Sequence, residues 1–126
     1  MVKNIILIGA AAMMFALSGC SSKEPLYNYG DYSEEYYNYK KNMSPETQLE
    51  LQKAIEQAIE DADDGSSDRV APGMYANLGY IYLKTGNTKM AKQNFIKEKT
   101  LYPEATHFMD RLIQKIDALE GDKDEK

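Results

Sequence analysis

From residue 32 onward, apolar and aromatic positions recur three and four apart, the period of helices that cover one face. Tyr32, Tyr36, Tyr39 and Met43 make the first such stripe. Asp31 or Ser33 is placed to cap it, with Glu34 and Glu35 in its first turn. Ser44-Pro45-Glu46 is a second helix start: a cap, a proline at the first helical position, then an acid. Leu51, Ile55, Ala58, Ile59 and Ala62 form the face that follows, with Leu49 at its flank, and this helix is expected to pair with the tyrosine helix. Tyr75, Leu78 and Tyr82 share a third face. Thr85-Gly86-Asn87 reads as a turn, Ala91 and Phe95 as the inward face of a return helix, and Pro103 as its stop. Glu104 opens a last helix whose stripe is Phe108, Leu112, Ile116 and Leu119, and Gly121 is expected to end it. The pattern predicts an all-α domain of four or five helices.

Ahead of these helices lie two different stretches. Residues 26–30 alternate weakly and end in Gly30, which reads as an extended piece and a turn. Residues 5–17 are an unbroken run of apolar and small side chains behind Lys3. That run is too short to span a bilayer, which takes roughly 20 apolar residues. A charged start, an apolar run and a small-residue end make a secretory signal peptide. The expected division is therefore a signal peptide at 1–19, Cys20 and a polar tether at 20–26, a tyrosine-rich segment plus helical domain at 27–120, and a polar tail at 121–126.

The third and fourth faces carry a resemblance. Tyr75, Leu78, Gly79 and Tyr82, then Ala91 and Phe95, then Pro103 stand at the spacing of a tetratricopeptide repeat, with Tyr75 where that pattern has Trp. The resemblance implies an antiparallel helix pair over about 72–105 and a binding scaffold. The missing side chain of Gly79 suits a close helix crossing. Glu98 departs from the pattern, which places a small residue there, and is expected to open the packing towards the next helix. In this register Asn77, Tyr80, Ile81 and Lys84 face outward, either covered by the preceding helices or available to a partner.

The end of the signal peptide, Leu17-Ser18-Gly19-Cys20, resembles a bacterial lipobox. That resemblance implies recognition of Leu17, Ser18 and Gly19 by a signal peptidase, cleavage before Cys20, and lipidation of the cysteine. The covalent lipid would be the chain's membrane anchor, since buried acyl chains stabilise by roughly 0.8 kcal/mol per CH₂ and three chains on one residue hold firmly. In such lipoproteins an Asp after the cysteine favours retention in the inner membrane; Ser21 stands there, so the resemblance implies the outer membrane, with the domain facing the periplasm.

Composition narrows the chemistry. The formal net charge is -5, so no basic stripe for a phosphate backbone is present and nucleic acid is not expected as a partner. With one histidine, His107, and one cysteine, Cys20, neither a Cys/His catalytic pair nor a zinc site is available within one chain. The Asp61, Asp63 and Gly65 positions are a shadow of a calcium loop, but the glycine comes one place early and Pro72 stands where the bidentate Glu belongs. No cofactor is expected apart from the lipid. The acid pairs Glu34/Glu35 and Asp63/Asp64 sit on surface-type segments, which argues against an enzyme.

Six of the ten tyrosines fall between Tyr27 and Tyr39. Their rings cover the open edge of the helix pair or form a recognition surface, and both hold together if the stripe faces inward and Tyr27 and Tyr37 outward. Here the chain is similar to small bacterial lipoproteins of unknown function. They carry a Leu-Tyr-x-aromatic-Gly-x-Tyr segment soon after the lipidated cysteine, followed by one helical repeat; Tyr29 stands where they usually have Trp. Their genes commonly lie beside one for a lipoprotein like the curli secretion channel, which the resemblance implies as a candidate partner. The expected function is a non-enzymatic adaptor in envelope assembly or secretion, with Tyr27, Tyr29, Tyr80 and Ile81 as the partner-binding residues. The alternative is a cell-wall or glycan-binding module that uses exposed tyrosines.

Overall fold

The computed structural model describes residues 23–124, which form five α-helices, with no strand among them. These are α1 (Tyr32–Lys41), α2 (Pro45–Glu60), α3 (Met74–Lys84), α4 (Thr88–Leu101) and α5 (Thr106–Asp124). Each helix packs on the next in the chain. The short links between α1 and α2 and between α3 and α4 make each of these pairs antiparallel neighbours.

Local signals set most boundaries. Glu34 and Glu35 lie in the first turn of α1 and Lys40 and Lys41 in its last, in the order the helix dipole favours. Asp31 occupies the cap position of α1, but its side chain makes no capping bond. Ser44 caps α2 through a reciprocal box with Thr47, behind Pro45. Between α3 and α4 the chain turns at Gly86, where φ is +81°, and Asn87 caps α4 by accepting the Met90 N–H at 3.1 Å.

Two cores flank α3. The first gathers Leu51, Ile55 and Ala58 of α2 with Ala71, Met74, Leu78 and Ile81. The second gathers Ala91 and Phe95 of α4 with Met109 and Ile116 of α5. Tyr82 packs against both. Its hydroxyl donates to Glu56 Oε1 at 3.1 Å, and burial, then that bond, raises its pKa. Each fully buried aliphatic or aromatic side chain stabilises by about 1.5–3 kcal/mol relative to exposure.

The α3–α4 crossing turns on Gly79. A Cβ there would lie 2.7 Å from the Phe95 ring and 3.1 Å from the Ala91 carbonyl oxygen. Leu78, Ala91 and Phe95 are buried around it. Pro103 opens a 3₁₀ turn that leads from α4 into α5.

Three expectations are corrected here. Glu98 does not open the packing: it is 3% exposed, and its carboxylate accepts the N–H groups of Gly73 at 2.8 Å and Ala76 at 3.1 Å. It therefore caps α3, whose own cap residue, Gly73, has no side chain to do so. The covered face of α5 is Met109, Leu112, Ile113 and Ile116, while Phe108 and Leu119 are exposed. Phe108 and Met109 are adjacent apolar positions, and the direction from which α4 meets α5 selects the second. Gly121 does not end α5, which continues to Asp124. An exposed interior glycine lowers helix stability by only about 1 kcal/mol.

Candidate functional site

Two features are built from the tyrosine-rich segment: a strap and a groove. The strap is the extended stretch before α1. Its backbone pairs with the loop after α2, where the Pro25 carbonyl accepts from Ser66 N–H at 3.0 Å and the Leu26 carbonyl from Ser67 N–H at 3.1 Å. Asn28 Nδ2 donates to the Asp61 carbonyl at 3.0 Å. Gly65 makes this approach possible. A Cβ there would meet Asn28 N at 2.9 Å, and the Leu26 carbonyl oxygen and Tyr27 Cα at 3.0 Å, all backbone atoms. The loop that resembled a calcium site in outline is thus the dock for the strap, with Asp63 and Asp64 exposed on a short 3₁₀ turn.

The Leu-Tyr-x-aromatic-Gly-x-Tyr spacing acquires a physical account. Asn28 Oδ1 accepts the Gly30 N–H at 2.9 Å, and Gly30 takes a φ of +46° to turn the chain into α1. Tyr27 is half-buried against the first core. It is therefore a strap anchor rather than the outward residue expected from the sequence. Beside it, Tyr102 is held by its own hydroxyl donating to the Val70 carbonyl at 2.6 Å. Burial, followed by the Tyr27 hydroxyl, pushes the Tyr102 pKa up to about 12.

Aromatic rings run from strap to groove. Tyr29 meets Tyr27 edge-on with centroids 6.4 Å apart, lies 6.4 Å from Tyr32, and Tyr32 lies 5.7 Å from Tyr36. Such pairs add about 0.5–1.5 kcal/mol beyond area burial. Tyr29 is 39% exposed and remains accessible at the edge of this row.

The groove lies between α1 and α3, with a volume of about 250 Å³. Tyr32, Tyr36 and Tyr39 line one wall, and Asn77, Tyr80 and Lys84 the other. Leu51 and Ile81 form a buried floor. The Tyr32 hydroxyl accepts from Asn77 Nδ2 at 3.1 Å; burial, then the neighbouring tyrosines, raises its pKa. Lys84 Nζ donates to the Tyr39 hydroxyl at 2.8 Å and sits 5.4 Å from both the Tyr39 and the Tyr80 ring centroids. The Tyr39 hydroxyl bond is the main cause of a raised Lys84 pKa. Lys40 lies 5.9 Å from the Tyr36 centroid.

The outward positions of α3 therefore converge on one recess, but not as equals. Tyr80 is 52% exposed, whereas Ile81 is 4% exposed and belongs to the core. Ile81 is not a surface anchor, because the α1–α2 pair covers that side of α3. Sequence does not single out Lys40, and marks Lys84 only as one of the outward positions of its helix; the i, i+4 spacing is the signal that places Lys84 with Tyr80 and Lys40 with Tyr36. Tyr75 lies elsewhere, beneath Lys97, whose Nζ is 5.2 Å from its ring centroid.

Cys20 and the preceding Leu17, Ser18 and Gly19 lie outside the described residues. No described helix is long and apolar enough to cross a membrane, and the described residues hold no cluster of His, Cys, Asp and Glu that would bind a metal ion.

No curated protein matches this sequence, and no solved structure matches its fold. A family model described as a domain of unknown function (DUF4810) matches residues 26–112, from the strap, across the groove and the first core, into α5. The chain belongs to that family of unknown function.

Proposed function

We propose that this protein is a lipid-anchored, non-enzymatic adaptor on the periplasmic face of the outer membrane, serving envelope assembly or secretion. The observation that supports it is the tyrosine-lined groove between α1 and α3, open to solvent at Tyr80 and set on a floor of core residues. Aromatic side chains over a rigid floor are what protein interfaces use as anchors. The α3–α4 pair serves as a single tetratricopeptide-like unit, with Gly79 against Phe95 as its crossing point. Acylated Cys20 supplies the membrane attachment. The strap keeps that tether short: from Cys20 to the paired carbonyl of Pro25, about five residues reach no more than roughly 18 Å. The domain would then lie close to the membrane surface, with a neighbouring envelope lipoprotein of the curli-secretion-channel kind as candidate partner.

The test is co-purification of the full lipidated chain with that channel-like lipoprotein from detergent-solubilised envelopes. The expected result is retention by wild type and loss with Tyr29→Ala or Tyr80→Ala, at unchanged helicity and melting temperature. Turnover of an envelope substrate by the isolated protein would overturn the adaptor reading. So would normal assembly of the channel in cells lacking this protein. Attachment is read separately: Cys20→Ala is expected to abolish palmitate labelling, and equal labelling of variant and wild type would remove the lipid from the proposal.

A further inference from the structure

The groove has a charge opposite to that of the protein that carries it. The chain bears a formal net charge of -5, yet the residues lining this recess include Lys40 and Lys84 and no Asp or Glu. The acids of the same region lie on another side of α1, where Asp31 and Glu35 face Glu50 and Lys53 of α2. Among the described residues, Lys53, Lys92 and Lys99 pair with carboxylates, whereas Lys40 and Lys84 do not. Lys84 instead lies 5.4 Å from two tyrosine ring centroids and donates to the Tyr39 hydroxyl. An ammonium has three N–H donors and no acceptor, so this geometry leaves Lys84 able to take a carboxylate.

The remaining surface of the recess is apolar. Leu51 and Ile81 make its floor, and Met43, 64% exposed, stands at its rim. A methionine there offers an adaptable wall. A space of about 250 Å³ suits one large side chain rather than an extended ligand.

We infer that the groove binds an acidic peptide segment of a partner protein, with one apolar side chain seated between Tyr36 and Tyr80 and flanking Asp or Glu side chains on Lys40 and Lys84. This inference rests on the adaptor reading and names the chemistry of its partner. An anionic membrane surface fits less well. Lipid recognition works through clusters of four or more basic residues at about 1 kcal/mol each, and here two lysines stand in an acidic protein. A neutral glycan fits less well too, since it brings no negative charge to the two lysines of the recess.

The experiment is selection from an unbiased random-decapeptide display library by the purified full chain. The selected peptides are then synthesised with a fluorescent label and measured by anisotropy. The expected outcome is enrichment of Asp and Glu around a single aromatic or long aliphatic residue. Affinity is expected to fall tenfold or more with Lys84→Met or Tyr80→Ala, and on replacing the peptide's acids by their amides. Lys53→Met, on the other side of the bundle, is expected to change nothing. Melting curves check that each variant is folded. The inference is overturned if no peptide is enriched, or if the selected peptides are neutral or basic. It is also overturned if Lys40→Met and Lys84→Met together leave affinity within twofold, or if phosphatidylglycerol vesicles or cell-wall oligosaccharides displace the peptides from the groove. If it fails while Tyr80→Ala still releases the envelope partner, the adaptor reading stands and only the acidic chemistry is wrong. If no partner is retained at all, the adaptor reading fails with it.

Discussion

The carboxylate of Glu98, near the end of α4, accepts the backbone N–H of Gly73 at 2.8 Å, so the first turn of α3 is capped by another helix. Ala76 N–H, at 3.1 Å, completes the arrangement. A negative charge at a helix N-terminus is favoured by the dipole as well as by the hydrogen bonds. This contact ties the end of the return helix to the start of its partner, on top of the apolar packing between them.

Glu98→Ala is expected to cost about 1–3 kcal/mol, because it leaves two part-buried N–H groups without their acceptor. Glu98→Gln, which keeps one acceptor oxygen, is expected to cost less. Urea unfolding of the three proteins at neutral pH orders them; equal midpoints for Ala and wild type would mean the cap contributes nothing.

Gly79→Ala is expected to destabilise by about 1–3 kcal/mol through overpacking against Phe95, which is fully buried and has little room to retreat. Phe95→Ala is expected to cost about 3–5 kcal/mol from the opposite cause, a cavity. Thermal melts that place either variant within a degree of wild type would contradict the close crossing.

Gly65→Ala tests the strap. The added methyl meets only backbone atoms, so the strap must lift away from the loop. Limited proteolysis is expected to cut the variant faster near residues 25–30, while far-UV circular dichroism stays near the wild-type value. Unchanged proteolysis would show that the strap tolerates the methyl and is not held as tightly as the distances imply.

Tyr80 and Ile81 are neighbours in sequence with opposite fates. Ile81→Ala is expected to lower stability by about 2–5 kcal/mol, as for other core truncations. Tyr80→Ala, at an exposed position, is expected to stay within about 0.5 kcal/mol of wild type. Equal losses in denaturant melts would mean that Tyr80 belongs to the core and not to an open groove.

Tyr102 links stability to alkaline pH. Its folded-state pKa of about 12 lies above the ordinary value of 10.0, so the folded state keeps the phenol proton where the unfolded chain releases it. Its contribution is therefore fully present below pH 10 and is lost as pH rises towards 12. Tyr102→Phe removes the hydrogen bond to Val70 and is expected to be less stable than wild type by about 0.5–1.5 kcal/mol at neutral pH. The difference is expected to shrink in melts run at rising alkaline pH; a constant difference would refute the linkage.

Much of the helix layout was legible in the sequence, because local rules govern it. Ser44-Pro45 announces a helix start through capping and a preset φ, and Gly86 a turn through its freedom at positive φ. Gly79 signalled a close crossing, since a helix face without a side chain leaves room for a neighbour, but that the Phe95 ring is what fills that room came from the packing. The site was only partly legible. For Tyr80 and Ile81 the sequence leaves open a covered or an accessible position, and the structure exposes the first and covers the second, while Tyr27, expected outward, is half-buried. Lys40 and Lys84 drew no attention as a pair.

What the sequence by itself determined is the all-helical chain, the places where most helices begin and turn, and the face of α2 that goes inward. These follow from backbone sterics, capping and period, which act within a few residues. Tertiary structure alone decided the rest. It chose Met109 over Phe108 as the buried side of α5, because two adjacent apolar positions are distinguished only by where α4 lies. It made Glu98 a cap instead of a disturbance, because Gly73 and Ala76 are 25 and 22 positions away along the chain. And it brought Lys84 of α3 onto Tyr39 of α1, 45 positions apart, so that a cationic aromatic recess exists only once those helices have packed.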